Sequence, residues 1–444
     1  MAAAIGAIVL HAAPASAEDY DLHLVVTGNA AATDNVFSAP DGGTVSRDAD
    51  LIYTLTPGLV ASYGTPNTTH ELTFNVSLNS YLDHSEAWGF QLFGDYRAAI
   101  ALTPLSDLAL SAGISRGSTN ALATSTAPSD GTAAPSQGGS VESLSFTSSE
   151  GLSHSFSPEM RGQQNAGVSY TIVTDAADNE VRTMQAGFGL GLDRSFQFSA
   201  AGIDAGINFL DFDRGTVMAV SAEPDRRADG RLGLRYRRDV SRRWSVGADG
   251  GVTAVIPIDG EADFIPVPTA SASINYVPEW GTASLSVGRS VTANPFIAQQ
   301  TVAESAVLSL NLPLPWLNAD RPSDEPQWTA SAALAGARSR VLNTDSGDLT
   351  GELVNGLLDL GLSYVPREEM TFSMRYQYTR QKTLEAVAGM DGMEGLPSLS
   401  RSTLLFAFTY RYPGRIISHL PARNILRVDQ EAPLQARDGE RRRR

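Results

Sequence analysis

The chain has 444 residues and no cysteine, with 33 basic residues against 49 acidic ones and a net charge of −16. Without cysteine there is no disulfide scaffold, no thiolate zinc site and no thiol nucleophile. An acidic chain also lacks the positive footprint that a nucleic-acid partner requires. A mean hydropathy of −0.12, with no apolar run long enough to cross a bilayer as a helix beyond the first seventeen residues, excludes a helical membrane protein.

Taken in chain order, Met1 to Ala17 is apolar and ends on Ala15-Ser16-Ala17 before Glu18-Asp19. A small-x-small ending of that kind is what a signal peptidase accepts, so 1–17 is expected to be an export signal, although its basic n-region is missing. Beyond it, period-two alternation dominates. Phe90, Leu92, Tyr96, Ala98 and Ile100 alternate with Gln91, Asp95 and Arg97. Leu232, Leu234 and Tyr236 alternate with Arg231, Arg235 and Arg237, and Val246, Ala248 and Val252 with Ser245, Asp249 and Thr253. Further on, Leu358, Leu360 and Leu362 alternate with Asp359, and Met374 and Tyr376 with Arg375. Successive strand residues face opposite sides, so each segment has one apolar and one polar face.

Segments of this kind begin near Tyr20, Asp50, His70, Trp88, Leu108, Val141, Gln163, Asn179 and Ala200. They continue near Ala228, Trp244, Ile265, Gly281, Thr301, Trp328, Leu349, Met370 and Leu399. The count is about eighteen (16–18), each roughly 10–15 residues, which suits a tilted membrane strand. Tight connections such as 103–107, 157–160, 241–243 and 366–369 alternate with long polar ones such as 117–140, 213–227 and 383–398. Short periplasmic turns and long external loops are the asymmetry of an outer-membrane barrel. The expected fold is therefore all-β: a closed antiparallel transmembrane β-barrel over 18–412, followed by a basic flexible periplasmic tail over 413–444.

Alternation alone also fits a soluble sandwich, and two features favour a membrane. Charge avoids the apolar face: Asp95, Arg97, Asp204, Arg235, Asp249, Asp359 and Arg375 all fall on the polar parity, where a barrel lumen hydrates them. Opposed charges across a constriction would set a transverse field that filters solutes. Arg289 breaks the rule and should lie near a rim. Aromatics also gather beside turns, with Trp244, Trp280, Trp328, Tyr364 and Tyr410 the candidates for an interfacial girdle against outer-membrane lipid.

Two stretches carry a resemblance. Thr33-Asp34-Asn35-Val36-Phe37 leads to Asp48-Ala49-Asp50 and Thr56-Pro57-Gly58-Leu59, and Tyr276-Val277-Pro278-Glu279-Trp280 forms a turn. This opening and this turn resemble bacterial outer-membrane β-barrel proteins encoded with exopolysaccharide export systems, within a wider pool of porin-like barrels. The resemblance implies a polymer-export or porin role and periplasmic polysaccharide-export proteins as partners. It is departed from at the end, where the aromatic strand 404–410 is followed by the tail.

Motifs for chemistry are sparse. No histidine pair has metal-ligand spacing on one element, and Asp175, Asp178 and Glu180 lack the spacing of a calcium loop. Ser153-His154-Ser155 invites a hydrolase, but Ser153 and Ser155 share a face from which His154 points away. No catalytic residue, metal or cofactor is expected. The sequence reads as a channel, with a structural or surface-display barrel plugged by its loops as the alternative and a barrel-embedded hydrolase behind it. The oligomeric state stays open.

Overall fold

The computed structural model describes residues 19–36, 48–85, 88–118, 142–174, 180–213, 225–258, 264–294, 299–314, 317, 327–342, 348–385 and 398–412. The expected signal segment, the basic tail and most of the long loops lie outside these residues.

Eighteen strands account for nearly all of it. The first six are β1 (Asp19–Thr33), β2 (Asp50–Gly64), β3 (Thr68–Tyr81), β4 (Gly89–Thr103), β5 (Ser106–Ser118) and β6 (Glu142–Ser155). Next come β7 (Met160–Thr174), β8 (Glu180–Ser195), β9 (Ser199–Asp213), β10 (Asp225–Asp239), β11 (Trp244–Pro257) and β12 (Ile265–Tyr276). The last six are β13 (Thr282–Asn294), β14 (Gln299–Pro313), β15 (Trp328–Leu342), β16 (Leu349–Arg367), β17 (Met370–Glu385) and β18 (Leu399–Tyr412). Each starts within three residues of the position at which the alternation begins in the sequence.

Every strand pairs antiparallel with its sequence neighbours, and β1 also pairs with β18, from Leu24↔Tyr412 to Thr33↔Thr403. The sheet is thus a closed barrel, ~35 Å across its backbone for this strand number and a typical tilt. Closure gives every strand a partner on both sides, the condition for β-structure in hydrocarbon, although between β12 and β13 that pairing covers only the half nearest the tight turn. On β1, Leu22 and Leu24 are 59% and 55% exposed while His23 between them is 1% exposed. The alternation therefore divides an apolar outer surface from a packed inner one. The chain is an integral outer-membrane β-barrel.

The Thr33–Val36 stretch and Asp50 lock the external rim. The Asp34 N–H donates to Ser402 O at 3.2 Å, and Asp34 Oδ1 accepts from the Ser402 N–H at 2.7 Å. Asn35 Nδ2 donates to Ser400 O at 3.0 Å. Val36 then packs inward with Ala31, Ile52 and Tyr81. The segment that carried the resemblance is thus a structural clasp across the β1–β18 seam.

Candidate pore and its lining

All seven charged residues singled out in the sequence lie on the inward face, but they fall in three sectors. Asp95 and Arg97 are on β4, Asp204, Arg235 and Asp249 on β9 to β11, and Asp359 and Arg375 on β16 and β17. These sectors are about a third of the circumference apart. Partners lie along the wall rather than across the lumen. Arg97 Nε is 2.7 Å from Asp95 Oδ1, and Arg375 holds Asp359 through Nε at 2.8 and 2.7 Å and Nη2 at 2.5 Å. Arg235 reaches Asp193 at 3.0 Å and Asp204 is taken by Arg231 at 3.3 Å. Asp249 accepts from Ser271 Oγ at 2.7 Å. The expected transverse field gives way to locally paired charge, because inward side chains on adjacent strands are ~5 Å apart and the far wall is several times farther.

Arg235 must cross β9 to reach Asp193 on β8, and glycines make the room. A Cβ at Gly191 would stand 2.6 Å from Arg235 Nη2, one at Gly202 2.0 Å from Asp193 Oδ1, and one at Gly233 2.8 Å from Asp204 Oδ1. The ion pairs therefore lie flat on a glycine floor, which keeps their bulk out of the lumen. Between these sectors the inner wall carries hydroxyl and amide pairs, including Thr54–Asn79 and Thr56–Ser77, both at 2.8 Å, and Ser111–Ser149 at 2.7 Å. Phe93, inward on β4, is 46% exposed; it breaks the alternation and was passed over in the sequence.

The lumen is not empty of backbone. Pairing of β12 with β13 runs only from Tyr276↔Ala283 to Ala270↔Arg289, whereas β13 and β14 pair along their whole length. Above the break, residues on the outward parity of β13 and β14 pack against the inward parity of other strands. Val302 is 1% exposed and clusters with Val255 and Val267, which are inward on β11 and β12. Ala293 packs on Leu210 and Phe212, inward on β9. Gln300 Nε2 donates to Asp229 Oδ2 on β10 at 2.5 Å, with both residues buried. The external half of the β13–β14 hairpin has folded into the barrel, its back against the inner wall.

Proline explains where the seam opens. The β11–β12 ladder continues through Val252↔Pro268 and Ala254↔Pro266, so the two missing N–H groups are lost from the β13 side. Arg289 sits at the last pair. It meets Glu304 at 3.2 Å, and Arg338 joins Glu304 at 3.9 Å and Glu352 at 2.6 Å. Charges on the outward parity are tolerated here because this part of the sheet is leaving the wall, so Arg289 marks a crease in the barrel. Two prolines in a strand and one misplaced arginine are the sequence signals of that fold-back.

At the tight-turn end, outward aromatics form runs of ring contacts. Trp244 stacks on Tyr276 with centroids 4.2 Å apart, and Trp280 meets Tyr276 edge-on at 6.0 Å. Trp328 stacks on Tyr364 at 4.3 Å, and the series continues through Phe372 to Phe408. Tyr410 lies on the same outward face of β18, two residues beyond Phe408. Across the closure, Tyr20, Tyr63, His70 and Tyr96 make a second run. His154 faces out, within 2.8 Å of Ser106 Oγ, while Ser153 faces in and accepts from Arg161. No hydrolytic triad assembles there, and no group of residues fit to hold a metal occurs among the described residues.

No protein-family model and no curated protein matches the chain. Among solved structures, the chain is similar to OccK2 (OpdF) of Pseudomonas aeruginosa at 11% identity, covering 89% of this chain and 98% of that one with a TM-score of 0.46. It is similar to OccAB3 of Acinetobacter baumannii at 10% identity, covering 89% and 100%, TM-score 0.45. It is also similar to the siderophore receptor PirA of Pseudomonas aeruginosa at 8% identity, covering 88% and 80%, TM-score 0.45.

Proposed function

We propose that the chain is a porin-like outer-membrane channel for small hydrated polar solutes, narrowed by its own β13–β14 hairpin. The observation that carries this reading is the inner wall, where flat-lying ion pairs and hydroxyl pairs line a closed barrel and offer water-like partners to a polar solute. Because most of these charges have a neighbour of opposite sign, Asp249 with its Ser271 hydroxyl being the exception, selectivity between small cations and anions should be weak. The test is purified protein in a planar bilayer. Discrete conductance steps with a small reversal potential in a salt gradient are expected. A correctly folded, heat-modifiable barrel that never conducts would overturn the reading.

The finer version takes an exported polysaccharide as cargo and periplasmic polysaccharide-export proteins as partners. It is supported by the hydroxyl-lined wall and by Phe93, whose exposed ring offers an apolar face to a sugar between polar neighbours. Blocked conductance on adding polysaccharide, absent in Phe93→Ala, is its expected signature. Unchanged surface polysaccharide after deletion of the gene would leave only the general channel. A barrel plugged at rest is the second reading, favoured by the buried Gln300–Asp229 contact that holds the hairpin inside.

A further inference from the structure

Away from the crease and from the external strand ends, where Glu142, Glu180, Asp211 and Asp213 sit, the outer wall carries one carboxylate among the described residues. On β6 the outward side chains include Phe146, Ser148, Glu150, Leu152 and His154, the inward ones Ser149 and Ser153. Glu150 is exposed and, among the described residues, has neither a hydrogen-bond nor an ion-pair partner. It lies four residues above His154, which meets Phe156 edge-on at 4.8 Å at the tight-turn end. Four residues of tilted strand rise ~10 Å, which puts Glu150 within the hydrocarbon. Its cross-strand neighbours are Leu110 and Ala166. Ser148, two residues along, and Gln164, diagonal to it on β7, also face outward without a partner among the described residues.

A charge or strong dipole facing acyl chains is costly, and intramembrane polar residues mark contacts. Whatever covers Glu150 must bring hydrogen-bond donors to the same depth, which acyl chains cannot. A second copy in the same membrane does so by symmetry: every residue of both copies sits at identical depth, and a two-fold axis along the membrane normal brings the patch onto itself. Glu150 then accepts from the Gln164 amide and the Ser148 hydroxyl of the other copy, and each contact is made twice. Ala112, paired with Ser148, and Ala166, paired with Glu150, are small enough to let the two walls approach.

We infer that the chain forms a two-fold dimer through the outer face of β5 to β7, with Glu150 hydrogen-bonded to Ser148 and Gln164 of the second copy at its centre. The inference is independent of whether the pore conducts.

The absence of cysteine makes the test direct. Full-length Ser148→Cys is oxidised in membranes and compared with Phe406→Cys, which lies on the plain apolar wall of β18. A disulfide-linked dimer from Ser148→Cys and none from Phe406→Cys is expected. Adding Glu150→Leu should cut the cross-linked fraction at least tenfold while heat-modifiable migration stays unchanged, since leucine suits a lipid-facing site. Cross-linking of Ser148→Cys no greater than of Phe406→Cys, or undiminished by Glu150→Leu in a folded barrel, would overturn the dimer.

Discussion

Gln300, on the outward parity of β14, donates its side-chain amide to Asp229, on the inward parity of β10, at 2.5 Å. In a continuous barrel those parities never meet. The contact exists because the hairpin has left the wall, and Gln300 and Asp229 are 0% and 8% exposed. Gln300→Ala leaves the buried carboxylate without that donor, which costs about 1–3 kcal/mol of the inward position. More frequent excursions to a larger conductance are expected in single-channel records. Traces matching wild type would mean that the hairpin is fixed by its apolar cluster alone.

A second prediction concerns the seam. Restoring both N–H groups with Pro266→Val and Pro268→Val allows the β12–β13 ladder to extend past Ala270↔Arg289, setting position 268 against Val291 and 266 against Ala293. Ladder bonds then compete with burial of Val302 and Val291. The double variant should show slower amide exchange at 290–293 and a larger mean conductance. Exchange and conductance both unchanged would show that inward packing outweighs strand pairing.

Selectivity is read most directly at Arg235 and Asp193. Their side chains are 33% and 25% exposed, so a partly solvated pair of this kind contributes only about 0.2–1 kcal/mol to stability. Arg235→Gln leaves one uncompensated carboxylate on the wall and should shift the reversal potential toward cation preference. Asp193→Asn should shift it toward anions, and the double variant should return close to wild type. Barrels of unchanged thermal stability with these opposite shifts are expected; no shift in either single variant would place the pair off the ion path.

Strand number, register of faces and the inward position of Asp95, Arg97, Asp204, Arg235, Asp249, Asp359 and Arg375 were legible because period-two alternation reports local geometry. Whom each charge meets was not, since Arg235 crosses β9 to Asp193 over a floor opened by Gly191. The fold-back of β13 and β14 was hidden for a different reason. A hairpin that turns inside the barrel keeps its alternation intact and changes only what its outward face touches. Pro266, Pro268 and Arg289 carried the signal, but only the pairing of β12 with β13 gives it meaning. Glu150 was missed because the outward face of its strand, with Ser148 and His154 beside it, is not an apolar run in which one charge stands out.

The rim clasp gives the last prediction. Asp50 opens β2, and its carboxylate is fully enclosed. Oδ1 accepts from the N–H groups of Leu51 at 2.6 Å, Leu82 at 3.1 Å and Asp83 at 3.1 Å. Oδ2 lies 2.8 Å from His84 Nδ1. One side chain thus ties the start of β2 to the end of β3 beside the inward cluster of Ala31, Ile52 and Tyr81. Asp50→Ala takes this acceptor from the Leu51 and Asp83 N–H groups, whereas the Leu82 N–H keeps Leu51 O at 3.0 Å, a local cost of about 1–3 kcal/mol. Asp50→Asn keeps the acceptor for these N–H groups but turns its NH2 toward His84 Nδ1 and removes the charge, so it should recover only part of the loss. Amide exchange at Asp83 is the readout, because local opening is governed by local contacts. Acceleration of at least tenfold in Asp50→Ala, less in Asp50→Asn, is expected while β10 and β11 stay protected. Uniform acceleration around the whole barrel would instead make Asp50 a determinant of global closure.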